Sequence, residues 1–437
     1  MLPMNKSLLL LPACAGLLLS SGLRAQPAPA APALPREWVD PDTGHRIVQL
    51  SQDAHSESLY FTQYSFTAGG TKMVFTQRGG NIDLVTLATG AIEHVYQEGG
   101  ARVLQTGRKT GAIFYTKGRY LYALDPVTKV SKQLVRIPDE GNIAAINCDE
   151  TLATGTIVPG EASRPPINAV RAQPKVLASG VEEGDIPSQV DKHAMMDRRL
   201  AAMLPTTLFV INLQTGAITE LGHWNDWTNH QQFSPVDPTL LMFAHEGRQW
   251  KVNRIWLIRA DGHSAPMLVH QRTMRMEIAV HEYWANDGSR IYYDLQTPLS
   301  EDFWIGSYNV LDGSRTWYHL PPDHWSVHYN TSPDGTLFSG DGSDPVIHYA
   351  QAKDAKWMFL FRPQEIPNQA DETADQQHMI QVDKLVPERL VNLSRHDYSL
   401  EPNGFFSPDG KWLIFRSNFR GPIGVYAVEV AKAAAAP

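Results

Sequence analysis

Four histidines in this chain sit in closely similar surroundings. They are His230 in WTNHQQFSP, His245 in MFAHEG, His281 in VHEYWANDGSRIYYD and His328 in HWSVHYNTSPDG. Others, among them His223, His324 and His396, also lie near strand ends. An imidazole titrates close to neutral pH, so a set of them can act as bases, bind a metal or meet an anionic ligand. The spacing does not choose among these, since no HExxH zinc signature occurs. No GxSxG elbow is present either, which leaves a serine-nucleophile hydrolase without support. The histidines acquire a common function only if the fold brings their segments together.

The chain repeats itself. FTAGGTKMVF begins at Phe66, FSPVDPTLLMF at Phe233, WANDGSRIYY at Trp284, TSPDGTLFSG at Thr331 and FSPDGKWLIF at Phe406, with weaker copies from Gln105 and Ile146. Each has an apolar or aromatic entry, a tight turn at Asp-Gly or its equivalent, and then apolar residues: a β-hairpin. A second hairpin follows most copies, at 85–95, 124–134, 211–221 and 309–320. Seven units of four strands fit between Ser51 and Val430, which predicts an all-β, seven-bladed β-propeller. GHRIVQLSQ at 44–52 is placed to complete the last blade and close the ring. In such a ring, equivalent positions on neighbouring blades converge on the axis, and the four histidines occupy such positions in successive units.

Two stretches interrupt the repeat. Residues 158–205 begin with a turn-rich part and continue through DIPSQVDKHAMMDRRLAAML, whose spacing predicts a helix with Asp185 as its N-cap. Residues 362–388 read as a polar, solvent-facing insertion.

The composition agrees with a large packed ring. The 11 Trp, 15 Tyr and 15 Phe require an interior, and 32 Gly with 30 Pro supply many turns. Residues 1–25 read as a secretory signal: Lys6, an apolar run, then small residues to Ala25. Its removal takes Lys6 and Arg24 and moves the formal charge from −8 to −10. That balance excludes a nucleic acid as the main partner. Cys148 is then the single cysteine, so no internal disulfide is expected. Residues 26–36 form an Ala/Pro linker, 37–430 the propeller and 431–437 a disordered tail. The expected location is periplasmic or secreted, with no membrane span in the mature chain.

In order along the chain, TGHRIVQLS, HEG, Arg254-Ile255-Trp256, HEYW, HYNTSPDGTLFSGDGSD and FSPDGKWLIFRSNFRG resemble the oligogalacturonate lyases, seven-bladed propeller enzymes among the polysaccharide lyases. The resemblance runs nearly end to end. It implies β-elimination of short acidic oligosaccharides, with His281 as the base that removes the C5 proton. It implies that Arg254 meets the substrate carboxylate and that His328 binds a metal. His230, His245 and Tyr398 are the further substrate contacts expected. The family completes its metal site with QxxHPHP, whereas this chain reads RHDYSLEPNGFFSPDG, placing Tyr398 at the glutamine and Glu401 and Asn403 at the two histidines. A site of His328, Glu401 and Asn403 is harder and suits Mn²⁺ or Ca²⁺ better than zinc. The alternative is that the metal is lost and Tyr398 or His396 faces substrate. A non-catalytic periplasmic propeller that binds a protein or a cell-wall glycan is the other reading of the whole chain.

Overall fold

A computed structural model describes residues 36–161, 172–176, 182–187, 189–346, 348, 353–367 and 378–433. The expected export signal and all of the expected linker except Arg36 lie outside these residues. No helix among them is long and apolar enough to cross a membrane.

The strands form the seven four-stranded blades that the repeats predict. Six occupy 56–96, 102–136, 145–225, 227–268, 278–320 and 329–392, and the seventh begins at 405. Within each blade the first strand in sequence lies at one edge, and the strands follow antiparallel in chain order. The seventh blade takes its fourth strand from the other end of the chain: His45–Gln49 pairs with Gly424–Lys432, Ile47 standing opposite Val428. Glu37–Val39 adds a fifth strand outside it.

The recurring S-P-D-G sequence has a structural explanation. In the sixth blade, Ser332 Oγ donates to Asp334 at 2.6 Å and accepts from the Leu337 N–H at 2.9 Å. In the seventh, Ser407 repeats both bonds with Asp409 and the Trp412 N–H, at 2.6 and 3.1 Å. Each pair satisfies backbone groups that the tight turn leaves open. Gly288 in the fifth-blade turn has φ +69°, and a Cβ there would lie 2.5 Å from Val236 Cγ2 of the fourth blade. Both the turn and the blade-to-blade approach require glycine.

Middle strands are covered on both faces by neighbouring blades, so they read as continuous apolar runs. Arg290–Gln296 (RIYYDLQ) is buried after its first residue. Phe66, Phe75, Tyr283, Tyr292, Phe338, Phe361 and Phe405 join several blades in one cluster. Each buried ring of this kind contributes about 2 kcal/mol of hydrophobic stabilisation.

Three boundaries differ from expectation. Asp185 is not an N-cap: it lies in the strand Glu182–Pro187, which pairs with Ala172–Val176, and the helix runs over Gln189–Ala202. Local pairing of the two segments prevails over the capping signal. The stretch 362–388 is strand at both ends, with Arg362 opposite Val386 and Gln364 opposite Lys384. Gln381 to Lys384 also pair in parallel with Thr316 to His319 of the fifth blade. Residues 368–377 lie outside the described residues. The last strand continues through Lys432, so the expected tail starts too early at Ala431.

Candidate active site

The fourth and fifth blades use one device to present a histidine. The first strand Trp227–Phe233 slips register against its neighbour between Asn229 and Gln232, and His230 within the slip has φ +50°. The first strand Ile278–Trp284 slips between Val280 and Tyr283, and His281 has φ +55°. A left-handed non-glycine residue costs about 1 kcal/mol or more. Two such bulges, both carrying histidine, mark positions where aiming a side chain outweighs strand regularity.

Between these bulges lies a buried ionic network. Arg254 follows the second strand of the fourth blade and is 7% exposed. Its Nε donates to Glu282 at 2.8 Å, its Nη2 to the same carboxylate at 3.3 Å and its Nη1 to Glu246 at 2.8 Å. His230 Nε2 completes the chain at 3.1 Å from Glu246. Burial favours the neutral carboxyl of Glu246, but His230 and Arg254 outweigh it and hold the group well below the ordinary range. Burial is likewise outweighed at Glu282 by Arg254 and His230. Burial also opposes the Arg254 charge, and Glu282 and Glu246 raise its pKa despite it. Three of the five guanidinium N–H groups are committed to protein carboxylates, leaving two.

His281 stands beside this network. Its ring centroid is 4.8 Å from that of His328, and its Nδ1 is 3.8 Å from Asp294 Oδ2, beyond hydrogen-bond range. Asp294 is fixed through Oδ1 by the indole N–H of Trp325 at 2.9 Å. Burial lowers the His281 pKa, Asp294 opposes this, and His328 and Arg254 add to it, so the imidazole is neutral near pH 7. Burial raises the Asp294 carboxyl against the pull of His281 and Trp325. About a quarter of the His281 side chain remains accessible, which leaves room for a reacting group.

His328 and Asn403 both bond Asp341, and Glu401 lies near His328. Asp341 accepts from the His328 backbone N–H at 2.8 Å and lies 2.9 Å from its Nδ1. With that proton on Nδ1, the Nε2 lone pair faces Glu401 Oε2 across 3.8 Å. Asn403 Oδ1 is buried and has no hydrogen-bond partner, while the Asn403 backbone N–H donates to Asp341 at 3.1 Å. As donor types, imidazole, carboxylate and amide oxygen suit a divalent cation of the Mn²⁺ or Ca²⁺ type, with Asp341 orienting the histidine. Among the described residues, no group of three or more His, Cys, Asp or Glu side chains could hold a metal. The set fits only with Asn403 as a ligand.

Other predicted residues stand apart. His245 shares the fourth blade with His230, so the four histidines do not fall in four successive units; it pairs with Asp226 and is enclosed by Trp224, Phe243 and Trp256, while its neighbour Glu246 reaches Arg254. Tyr398 is 1% exposed, donates to the Asp341 backbone oxygen at 3.0 Å and lies edge-on to His396. It is packed into the interior, against Asp341 and His396. His223 is on an exposed outer strand with Glu220 at 3.2 Å. The sequence reading passes over Glu246, Glu282, Asp294 and Asp341. Their signal lies inside the quoted motifs, as the acids of HEG, HEYW, IYYD and SGDGSD. Tyr60 and Phe61, whose rings pack against His328 at 5.4 and 4.7 Å, carry no such signal.

The seven four-stranded blades define a β-propeller, and a histidine stands in it beside a buried arginine–carboxylate network. Residues 201–435 match the family described as oligogalacturonate lyase, and the chain belongs to that family. An oligogalacturonate lyase solved in complex with manganese is similar at TM-score 0.70 and 22% identity, covering 91% of this chain and 96% of its own. An oligogalacturonate lyase from Vibrio parahaemolyticus gives 0.70 and 20% over the same shares. A chain of the mitotic checkpoint complex reaches 0.51 at 9% identity, covering 95% of this chain and 99% of its own, so the ring alone does not carry the activity. No protein with a curated description matches the chain.

Proposed function

We propose that the protein is an exported lyase that cleaves short uronate oligosaccharides by β-elimination, with His281 as the base. The observation that carries this reading is the His281 imidazole, set on a left-handed bulge and kept neutral beside His328 and Arg254. His281 takes the C5 proton, the electron pair forms the C4–C5 double bond, and the C4–O bond breaks. The proton returns through solvent to the leaving oxygen, so no water is consumed. The two uncommitted N–H groups of Arg254 are available to the uronate carboxylate, whose charge rises as C5 is deprotonated. Glu246 and Glu282 hold the guanidinium in place for that contact. His328, Glu401 and Asn403 would hold a divalent cation, which when bound neutralises the same carboxylate and makes C5 more acidic. His230, tied to the Arg254 network through Glu246, is a substrate contact. Export is supported by the signal-like residues 1–25.

The test is ultraviolet absorbance of an unsaturated uronate after incubation with a panel of uronate oligosaccharides, with and without chelator. Absorbance that grows with enzyme, and is suppressed by chelator, is expected. No signal on any uronate overturns the lyase reading, and turnover indifferent to chelator overturns the metal site alone.

A further inference from the structure

The strand Arg290–Gln296 (RIYYDLQ) holds a single acidic residue, Asp294, fully enclosed between Tyr293 and Leu295. A carboxylate buried in such a strand is unfavourable unless its charge and lone pairs are met. Among the described residues no Lys or Arg pairs with it. Burial disfavours its charge, and His281, Trp325 and Gln296 favour it. Trp325 satisfies Oδ1 through its indole N–H at 2.9 Å. Oδ2 is buried and has no hydrogen-bond partner.

The atom facing Oδ2 is in the same condition. His281 Nδ1, 3.8 Å away, is buried and also has no hydrogen-bond partner. Closing the gap by about 1 Å gives both atoms a normal bond. The backbone brings them into line: Val280 stands opposite Asp294, and the register slips between Val280 and Tyr283, so His281 opens the bulge with φ +55°. Bonds of this kind tighten when substrate closes over them. Because Nδ1 is buried, the accessible quarter of the His281 side chain lies on its other atoms. A proton on Nδ1 leaves the lone pair of the neutral ring on Nε2.

We propose that Asp294 is a positioning residue for the base: its Oδ2 accepts the His281 Nδ1–H, which fixes the aim of the ring and keeps the lone pair on Nε2 for the C5 proton. When Nε2 takes that proton the imidazole becomes a cation, and the Asp294 charge faces it without itself taking a proton. Trp325 grips the carboxylate by its other oxygen and so holds Oδ2 in place. The role of His281 as base rests on the lyase reading, whereas its tautomer does not.

Asp294→Asn, which preserves shape, is the test. The amide oxygen still accepts from Trp325, which turns the NH₂ group toward His281 Nδ1. Two donors repel there, so the imidazole proton moves to Nε2 and the lone pair moves to Nδ1. Nitrogen-15 spectra of the histidine-labelled mature chain near neutral pH report the tautomer, with the His281 signals assigned by their loss in His281→Gln. Wild type is expected to show a protonated Nδ1 and a bare Nε2, and Asp294→Asn the reverse. On a uronate oligomer the variant is expected to lose about 10²-fold or more in kcat, with KM changed less than about threefold. A wild-type spectrum with the proton on Nε2, or shared between the two nitrogens, overturns the proposal, and this holds even if the variant fails to fold. A lowered thermal midpoint with the tautomer and kcat unchanged also overturns it, assigning Asp294 to Trp325 alone. If wild type cleaves no uronate the lyase reading fails, while the tautomer, read without substrate, still decides whether Asp294 orients His281.

Discussion

The role proposed for His281 requires a free lone pair and an aimed ring, and both conditions come from neighbours rather than from the histidine. Replacing it with alanine removes the proton acceptor. His281→Ala is expected to lower kcat/KM by about 10²–10⁴-fold, with an unchanged circular dichroism spectrum; initial rates on a uronate oligomer measure it. The Arg254 network behaves differently. Glu282→Ala leaves a buried guanidinium with one carboxylate instead of two, and is expected to cost about 3 kcal/mol in urea unfolding as well as activity. These carboxylates were hidden in the sequence for a definite reason. Adjacent strand residues point to opposite faces, so nothing in HEG says that Glu246 and not His245 reaches the site. His396 gives a titration at the same scale. Burial pushes its pKa down to about 4, against the opposing bond from Nε2 to the Leu400 oxygen. The unfolded chain binds a proton near pH 6.5 and the native chain does not, so stability is complete above pH 6.5 and falls as pH drops toward 4. The loss is about 3 kcal/mol. Urea midpoints at pH 7 and pH 4.5 measure it, and His396→Gln is expected to flatten the dependence.

The blades were legible in the sequence because each hairpin carries its own turn chemistry, repeated at Ser332/Asp334 and Ser407/Asp409. In the insertion the helix was legible but its role was not, because its contacts are to another blade. Asp197 on the helix Gln189–Ala202 binds Arg248 at 3.0 Å and Lys251 at 3.1 Å, and a Cβ on Gly247 would lie 3.2 Å from Leu200 of the same helix. The helix thus braces the loop that joins Glu246 to Arg254. Asp197→Ala removes two partly exposed ion pairs, worth about 1 kcal/mol together. Its expected effect is a several-fold fall in kcat with little change in thermal midpoint, since the brace acts on the position of Arg254 and not on the core. A fall in midpoint without a change in kcat would assign the helix to stability alone.

At the scale of the ring, closure depends on a strand that arrives from the far end of the chain. The motif at 44–52 showed where this strand belongs, because its apolar alternation matches a blade that otherwise has three strands. Ile47 is fully buried, pairs with Val428 and packs among Met358, Leu390 and Phe415. It joins the first segment of the propeller to the sixth and seventh blades. Ile47→Ala is expected to lower unfolding free energy by about 2–5 kcal/mol through the cavity left behind. Val39→Ala, on the half-exposed fifth strand, is expected to cost less than about 0.5 kcal/mol. Urea unfolding followed by tryptophan fluorescence measures both. If closure couples the whole ring, Ile47→Ala shifts a single cooperative transition. If the seventh blade opens by itself, the variant instead shows a first transition confined to that blade, and the catalytic site, whose Glu401 and Asn403 precede its first strand, is lost before the other blades unfold.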